Sequence, residues 1–288
     1  MMQNNAELAH HPYFQASVCL LTKHKKEQVI APVLSRGLSI ELEVDEGFDT
    51  DSLGNFTRTV ARVDDQLVTA EKKARLAARR SGLSIGIGSE GSFDSSALGG
   101  LACLNSEILV WFDAKRDFCI SAQHQTVVSA SSLTTSDYAK LEKYARESGF
   151  PAQGIVLRAD NDSDLCPVTG IQSVNDLERA FVDCLSRSAQ NQVFAEWDFR
   201  AHCCPCRMHT IGKAAEQLLE HLLRLCPTCH TPGYSPFKAL GGLPCEQCQA
   251  PTTVTKGRYF CCGVCNASHF EAVSDDFANP FNCSICNP

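Results

Sequence analysis

The sequence predicts an α/β protein, a mixed sheet flanked by helices, followed by a small C-terminal domain of two zinc ribbons. Three observations lead there. Strand-like and helix-like segments alternate from Ser17 to about Leu225. Eight of the 17 cysteines form four Cys-x-x-Cys pairs in the last quarter of the chain. Hydrophobic residues make up 44% and charged residues 20%, enough apolar material in 288 residues for a full core and a smaller appendage. The expected organisation is a flexible N-terminus over 1–15, an α/β domain over 16–225 and a zinc-binding tail over 226–288.

Each element has a local reason. "SVCLL" (17–21) is an apolar strand and "LSIELEV" (38–44) an alternating one. A helix is expected over 64–81, with Asp64 or Asp65 as N-cap and Gly82 as its stop. "LSIGIGSEGSF" (83–93) suggests a strand running into a glycine-rich turn. "EILVWFD" and "DFCISAQ" suggest a hairpin around Ala114–Arg116. A helix over about 135–148 stops at Gly149, "GIVLRA" (154–159) is a strand, and Ser173 caps a helix reaching about Ser188. "VFAEWDFRAH" (193–202) alternates with a period of two, which would put Glu196, Asp198, Arg200 and His202 on one strand face. An amphipathic helix over 209–225 follows. Strand, helix and strand across 154–202 suggest a right-handed crossover between parallel strands.

The paired cysteines are Cys226/Cys229, Cys245/Cys248, Cys262/Cys265 and Cys283/Cys286. Two such turns make a closed tetrahedral thiolate site, so two structural zinc ions are expected, with no open position for hydrolytic chemistry. Sequential pairing joins the first turn to the second and the third to the fourth. A cross-braced arrangement joins first to third and second to fourth. The shorter loops favour the sequential one. Cys261 is left outside both sites. "HCCPC" (202–206) offers Cys203, Cys204 and Cys206 beside His202, but no second pair stands at ligand spacing.

The formal charge is −7, and thiolate–zinc centres make it more negative, which disfavours generic binding to a nucleic-acid backbone. No apolar run approaches the roughly 18 residues of a membrane span. The opening "MMQNNAELAHHPYFQ" lacks a signal-peptide pattern, so a cytoplasmic setting is expected.

Three segments concentrate chemistry in the α/β domain. "TKHKKE" leaves the first strand with Thr22, Lys23, His24 and Lys26, groups suited to phosphate at a helix entrance. "GSEGSFD" places Glu90 among glycines, a carboxylate suited to magnesium, and "FDTD" adds Asp49 and Asp51. The row from Glu196 to His202 continues into Arg207. The basic stretch Lys72, Lys73, Arg75, Arg79 and Arg80 is expected to be a solvated helix face.

With "TKHKKEQVIAP", "EGFDTDSLGNFTR", "SEGSF", Asp198-x-Arg-Ala-His202, Pro205-x-Arg-Met208 and the paired cysteines assembled, the chain resembles an uncharacterised bacterial family known only as a domain of unknown function. Residues 17–113 also resemble the first half of inosine-triphosphate pyrophosphatases. Those open with a strand and a Thr-x-Asn-x-x-Lys phosphate loop, followed by an Ala/Lys-rich helix and an acidic magnesium-binding turn. Here Thr22 matches, His24 replaces Asn and Lys26 arrives one residue early. "AEKKARLAA" resembles the helix and "SEGSFDSSALGG" the acidic turn with one acid fewer. The Ser-His-Arg segment of those enzymes is similar to His202 through Arg207.

The resemblance implies a magnesium-dependent hydrolase of a nucleotide or a related phosphorylated small molecule. Glu90, helped by Glu196 or Asp198, would hold the metal. Lys23, Lys26, Arg200 and Arg207 would clamp phosphate, and His202 would move a proton. The alternative is a non-catalytic ligand-sensing or protein-docking module whose zinc tail meets a protein partner.

Overall fold

The computed structural model describes residues 8–48, 65–94, 102–164 and 166–288. Asp49, Asp51 and Asp64 lie outside them. The chain divides into two compact units, Tyr13–Leu219 and the described residues up to Pro12 with Glu220–Pro288. No helix among the described residues is long and apolar enough to cross a membrane.

The larger unit holds two sheets. In the first, β1 (Ser17–Leu21), β2 (Glu41–Asp45) and β3 (Ile85–Asp94) run parallel, and β4 (Cys103–Asp113) and β5 (Phe118–Val128) complete an antiparallel meander, in the order β2-β1-β3-β4-β5. The parallel half is joined by α1 (Glu27–Leu38) and α2 (Gln66–Ser81). Asp65 caps α2 by accepting from the Val68 N–H, and Gly82 ends it in the left-handed region at φ 74°.

Alanines at a spacing of four give α2 a smooth face. Ala70, Ala74 and Ala78 pack on Ile108, Val110 and Phe112 of β4. The glycines of β3 belong to this contact. A Cβ on Gly86 would stand 2.0 Å from the Ala74 carbonyl oxygen, and one on Gly88 would stand 1.9 Å from that of Ala70. They do not form the ligand-facing turn that the sequence suggested. β3 runs straight through Gly88–Gly91, and the glycines admit the backbone of α2.

The opposite face of the sheet meets the segment before α1 and α5 (Pro205–Leu223). Lys26 bonds Ser89 on β3, Arg207 bonds Glu107 on β4, and Thr210 bonds Thr126 on β5. Gly37 of α1 lets Leu219 of α5 approach closely. Tyr13 also packs into this unit, 4.9 Å from the Trp111 ring and bonded to Asp113, so the end of the expected flexible segment 1–15 is anchored.

The second sheet has the order β6-β9-β7-β8, formed by β6 (Ser132–Thr135), β7 (Ile155–Ala159), β8 (Val168–Ile171) and β9 (Val193–Trp197). Its core joins Leu141 and Ala145 of α3 (Tyr138–Glu147) and Leu177, Ala180 and Phe181 of α4 (Val174–Arg187) to Ile155, Leu157 and Ala195. Ser173 caps α4 as expected, accepting from the Asp176 N–H.

The crossover differs from expectation. β7 and β9 are antiparallel, because the short strand β8 reverses the chain before α4 begins. The two strands that α4 joins, β8 and β9, both run opposite to β7 and are therefore parallel to each other, with β7 between them. β9 also ends at Trp197, so the period-two row breaks after Glu196. Residues 198–200 leave the sheet and 201–203 form a 3₁₀ turn.

In the smaller unit, β10 (Ser235–Gly241), β11 (Thr255–Cys261) and β12 (Ser268–Ala272) form an antiparallel sheet, and Cys-x-x-Cys turns sit at both of its ends.

The helix–glycine contact gives an asymmetric expectation. Gly88→Ala forces β3 and α2 apart and lowers stability by about 1–3 kcal/mol or more in urea unfolding. Gly212→Ala, where the new Cβ meets only Val29 Cβ at 3.8 Å inside α5, raises it by about 0.5–1 kcal/mol. A tolerated Gly88→Ala contradicts the packing argument.

Candidate functional site

Four segments of the larger unit converge at one end of the first sheet. The loop after β1 supplies Thr22, His24 and Lys26. β3 supplies Ser89 and Glu90, β4 supplies Glu107, and the first turn of α5 supplies Arg207. Thr22 is buried, and its hydroxyl accepts from the His24 N–H, holding the loop in a tight turn. Lys25 adopts a left-handed φ of 57°, after which Lys26 turns inward. Lys26 is only 5% exposed and donates to the Ser89 hydroxyl at 3.0 Å and the Ser89 carbonyl at 3.3 Å.

Side chains alternate across a strand, so Ser89 and Glu90 face opposite sides of the sheet. Glu90 turns toward α2, where Lys73 reaches it at 2.5 Å with both groups buried. Lys73 is thus a buried partner and not part of a solvated face. On the other side, Arg207 donates to Glu107 at 2.6 Å, with side-chain exposures of 2% and 0%. Its second nitrogen donates to the Phe199 carbonyl at 2.7 Å. Gly91 leaves room for this pair, since a Cβ there would overlap both Glu107 and Arg207.

Among the described residues, one face of the strand thus holds Lys26, Arg207 and Glu107 and the other holds Lys73 and Glu90, all of them buried. The electrostatic outcome falls on Lys26. Burial, reinforced by the Arg207 charge, pushes its pKa from the usual lysine range down to about 7. At the mouth of the loop the His24 ring stacks on His202 at 5.2 Å. Burial, then the neighbouring His24 and Arg200, lower the His202 pKa below its ordinary value.

The other expected residues fall elsewhere. Lys23 is exposed. Glu196 accepts from Arg158 of β7 at 3.0 Å, inside the second sheet. Asp198 accepts from Arg200 at 2.6 Å and from the Gly170 N–H at 2.9 Å, so those two side chains hold each other and the β8 backbone. Glu196, Asp198, Arg200 and His202 thus do not form one functional face. Glu107 and Lys73 were not foreseen as site residues. The signal for Glu107 was a lone acid leading an otherwise apolar run, Ile108–Phe112.

The Cys204 and Cys206 sulfurs lie 3.4 Å apart at the start of α5, and Cys203 faces Gln172. Among the described residues they do not complete a third metal-ligating cluster with His202.

The smaller unit gathers its thiols into two four-cysteine clusters, Cys226/Cys229/Cys262/Cys265 and Cys245/Cys248/Cys283/Cys286. These clusters could hold metal ions and are compatible with two structural zincs. Sulfur separations of 3.6 Å for Cys226–Cys265 and 3.5 Å for Cys248–Cys283 sit close to the roughly 3.8 Å edge of a tetrahedron with 2.3 Å metal–sulfur bonds. Each turn is closed by a backbone bond to the carbonyl of its first cysteine, donated by His230, Gln249, Asn266 and Asn287.

The pairing is cross-braced, not sequential. Ser235 at the start of β10 faces Cys261 at the end of β11, which brings the first cysteine turn to the third. The second turn lies in the β10–β11 connection, at the same end as the C-terminus of β12, and so meets the fourth. Doubling a loop costs only about 0.6 kcal/mol, too little to oppose the hydrogen bonds of the sheet.

A family model described as a domain of unknown function (DUF6671) matches residues 73–288. The chain belongs to this family. No curated protein matches it. The matched DUF6671 region takes in Lys73, Glu90, Glu107, Arg207 and all eight clustered cysteines, whereas Thr22–Lys26 precede it.

Metal counting tests the cross-brace. Replacing Cys226 and Cys262 together by serine should remove one equivalent of bound metal per chain. Replacing Cys226 and Cys245 together should remove both. The reverse pattern would restore the sequential pairing.

Proposed function

We propose that the larger unit binds a phosphorylated small molecule, a nucleotide or a relative of one, at the Lys26–Arg207 cluster and hydrolyses it with magnesium. The observation that carries this reading is the buried Lys26 ammonium, which bonds Ser89 and lies close enough to Arg207 to feel its charge. An unpaired charge held away from water is costly. Lys26 relieves that cost in the free protein by a lowered proton affinity, and an anion would relieve it by pairing with the protonated amine. Thr22 and Lys26 follow the C-terminal end of the parallel strand β1, a placement suited to phosphate.

Of the two buried carboxylates in the cluster, Glu107 shares the face of Lys26 and Arg207 and is the one that would help hold magnesium, whereas Glu90, expected in that role, faces α2 across the strand. Magnesium commonly takes one or two protein carboxylates and completes its shell with substrate phosphates and water. When bound it would neutralise the charge that builds on the leaving phosphate. His202, kept neutral at neutral pH by its lowered pKa, suits acceptance of a proton from water. The partial resemblance of residues 17–113 to inosine-triphosphate pyrophosphatases supports the same reading.

The two cysteine clusters are read as structural zinc sites, since four thiolates leave no position for substrate. None of the 17 cysteines is in a disulfide, which suits a cytoplasmic setting. One observation favours the non-catalytic alternative: Glu107 is already held by Arg207, so a ligand pocket without turnover would need no rearrangement.

The test is a nucleotide panel with magnesium on the full, metal-loaded chain. Release of phosphate or pyrophosphate is expected, lost in Lys26→Met. Affinity for the anion should strengthen as pH falls through about 7, where Lys26 takes up its proton, and Lys26→Met should flatten that dependence. Binding without turnover selects the non-catalytic module. Neither binding nor turnover across the panel overturns the proposal.

A further inference from the structure

Two residues along β4 from Glu107, on the same face of the strand, lies Asn105. It is 0% exposed, and among the described residues neither its amide nitrogen nor its amide oxygen has a hydrogen-bond partner. Leaving both ends of a carboxamide unsatisfied in a protein interior is expensive, and nearly all buried polar atoms find partners. Strand packing does not ask for an amide there, because beyond Glu107 the residues on that face, Leu109 and Trp111, are apolar and fully buried.

The surroundings of Asn105 are aromatic on one side and ionic on the other. Phe93 is its direct cross-strand neighbour, and the Phe93 ring lies 4.1 Å from that of Phe199. The Phe199 carbonyl is the group that accepts from Arg207. An unpaired donor and acceptor, two rings tilted against each other and the Arg207–Glu107 pair are therefore continuous.

We infer that Asn105 is a specificity-determining residue that reads the edge of a heteroaromatic base, one presenting adjacent hydrogen-bond donor and acceptor atoms, on the ligand whose phosphate meets Lys26 and Arg207. This rests on the proposed phosphate site and adds the class of group attached to it. A carboxamide pairs bidentately with such an edge, its oxygen accepting and its nitrogen donating. The flat faces of Phe93 and Phe199 suit a planar ring system. A site built to bond such an edge discriminates strongly against ligands lacking it, because its own polar atoms are then left unpaired.

The experiment compares affinities of the full, metal-loaded chain for a panel of nucleoside triphosphates and for inorganic tripolyphosphate, in the wild type, Asn105→Leu and Asn105→Asp. The wild type is expected to prefer at least one base-bearing ligand over tripolyphosphate by about tenfold or more. Asn105→Leu should collapse that ratio, and Asn105→Asp, which exchanges the donor for an acceptor, should change which base is preferred. Should Asn105→Leu fail to fold, Asn105→Asp carries the test alone. A wild type that binds tripolyphosphate and every nucleotide equally overturns this inference while leaving the phosphate site standing. So does an Asn105 variant that keeps the wild-type preference, which would make the amide's partner a buried water. Failure to bind either tripolyphosphate or any nucleotide overturns the phosphate reading itself.

Discussion

The ion pair between Arg207 and Glu107 is the contact on which the arrangement of the larger unit depends. Both partners are removed from water, so each is tolerable only because the other is present. The pair fixes the first turn of α5 against the middle of β4, and Arg207 binds the Phe199 carbonyl with the same guanidinium. It therefore sets where the chain leaving the second sheet re-enters the first. His202 and the Cys204–Cys206 thiols take their positions from that re-entry. Gly91 is the accommodation the sheet makes, since any side chain there would enter the space the pair occupies.

Around that contact the unit is held by two kinds of packing. On one face of the sheet, alanines of α2 and glycines of β3 bring two backbones together with little side chain between them. The large apolar groups of the other face, Leu109 and Trp111 among them, supply a more conventional core. Glu90 and Lys73 lie beside the smooth contact, whereas Lys26, Glu107 and Arg207 lie on the opposite face. The two halves of the ionic cluster are thus separated by one strand of the sheet. The lowered proton affinity of Lys26 comes first from its burial and then from Arg207 on its own face, while Lys73 and Glu90 across the strand pull it in opposite directions. The smaller unit follows a different logic, in which a three-stranded sheet decides which thiols meet.

Local grammar made most elements legible. Asp65, Gly82 and Ser173 mark helix ends through hydrogen bonds that a sequence states directly. The β4–β5 hairpin follows from two apolar runs around a short polar turn. The eight clustered cysteines were legible because the Cys-x-x-Cys spacing is itself that of a metal-ligand turn. What was not legible required partners distant in the chain. Glu196 looked like a neighbour of His202 because the alternation continued past the end of β9, yet Arg158 claims it. Lys73 looked solvated because its helix is basic, yet it turns inward onto Glu90. The glycines around Glu90 suggested ligand approach, whereas α2 is what approaches. Loop length favoured the sequential cysteine pairing, and only strand register could overrule it.

A double-mutant cycle on Arg207 and Glu107, read by urea unfolding of the metal-loaded chain, tests the central claim most directly. Arg207→Met and Glu107→Leu should each cost about 3–5 kcal/mol, because each strands a buried charge, and the double variant should cost far less than their sum. Single variants that each lose under about 1 kcal/mol and add in the double would make this an ordinary solvated pair, and the account of the unit would fail.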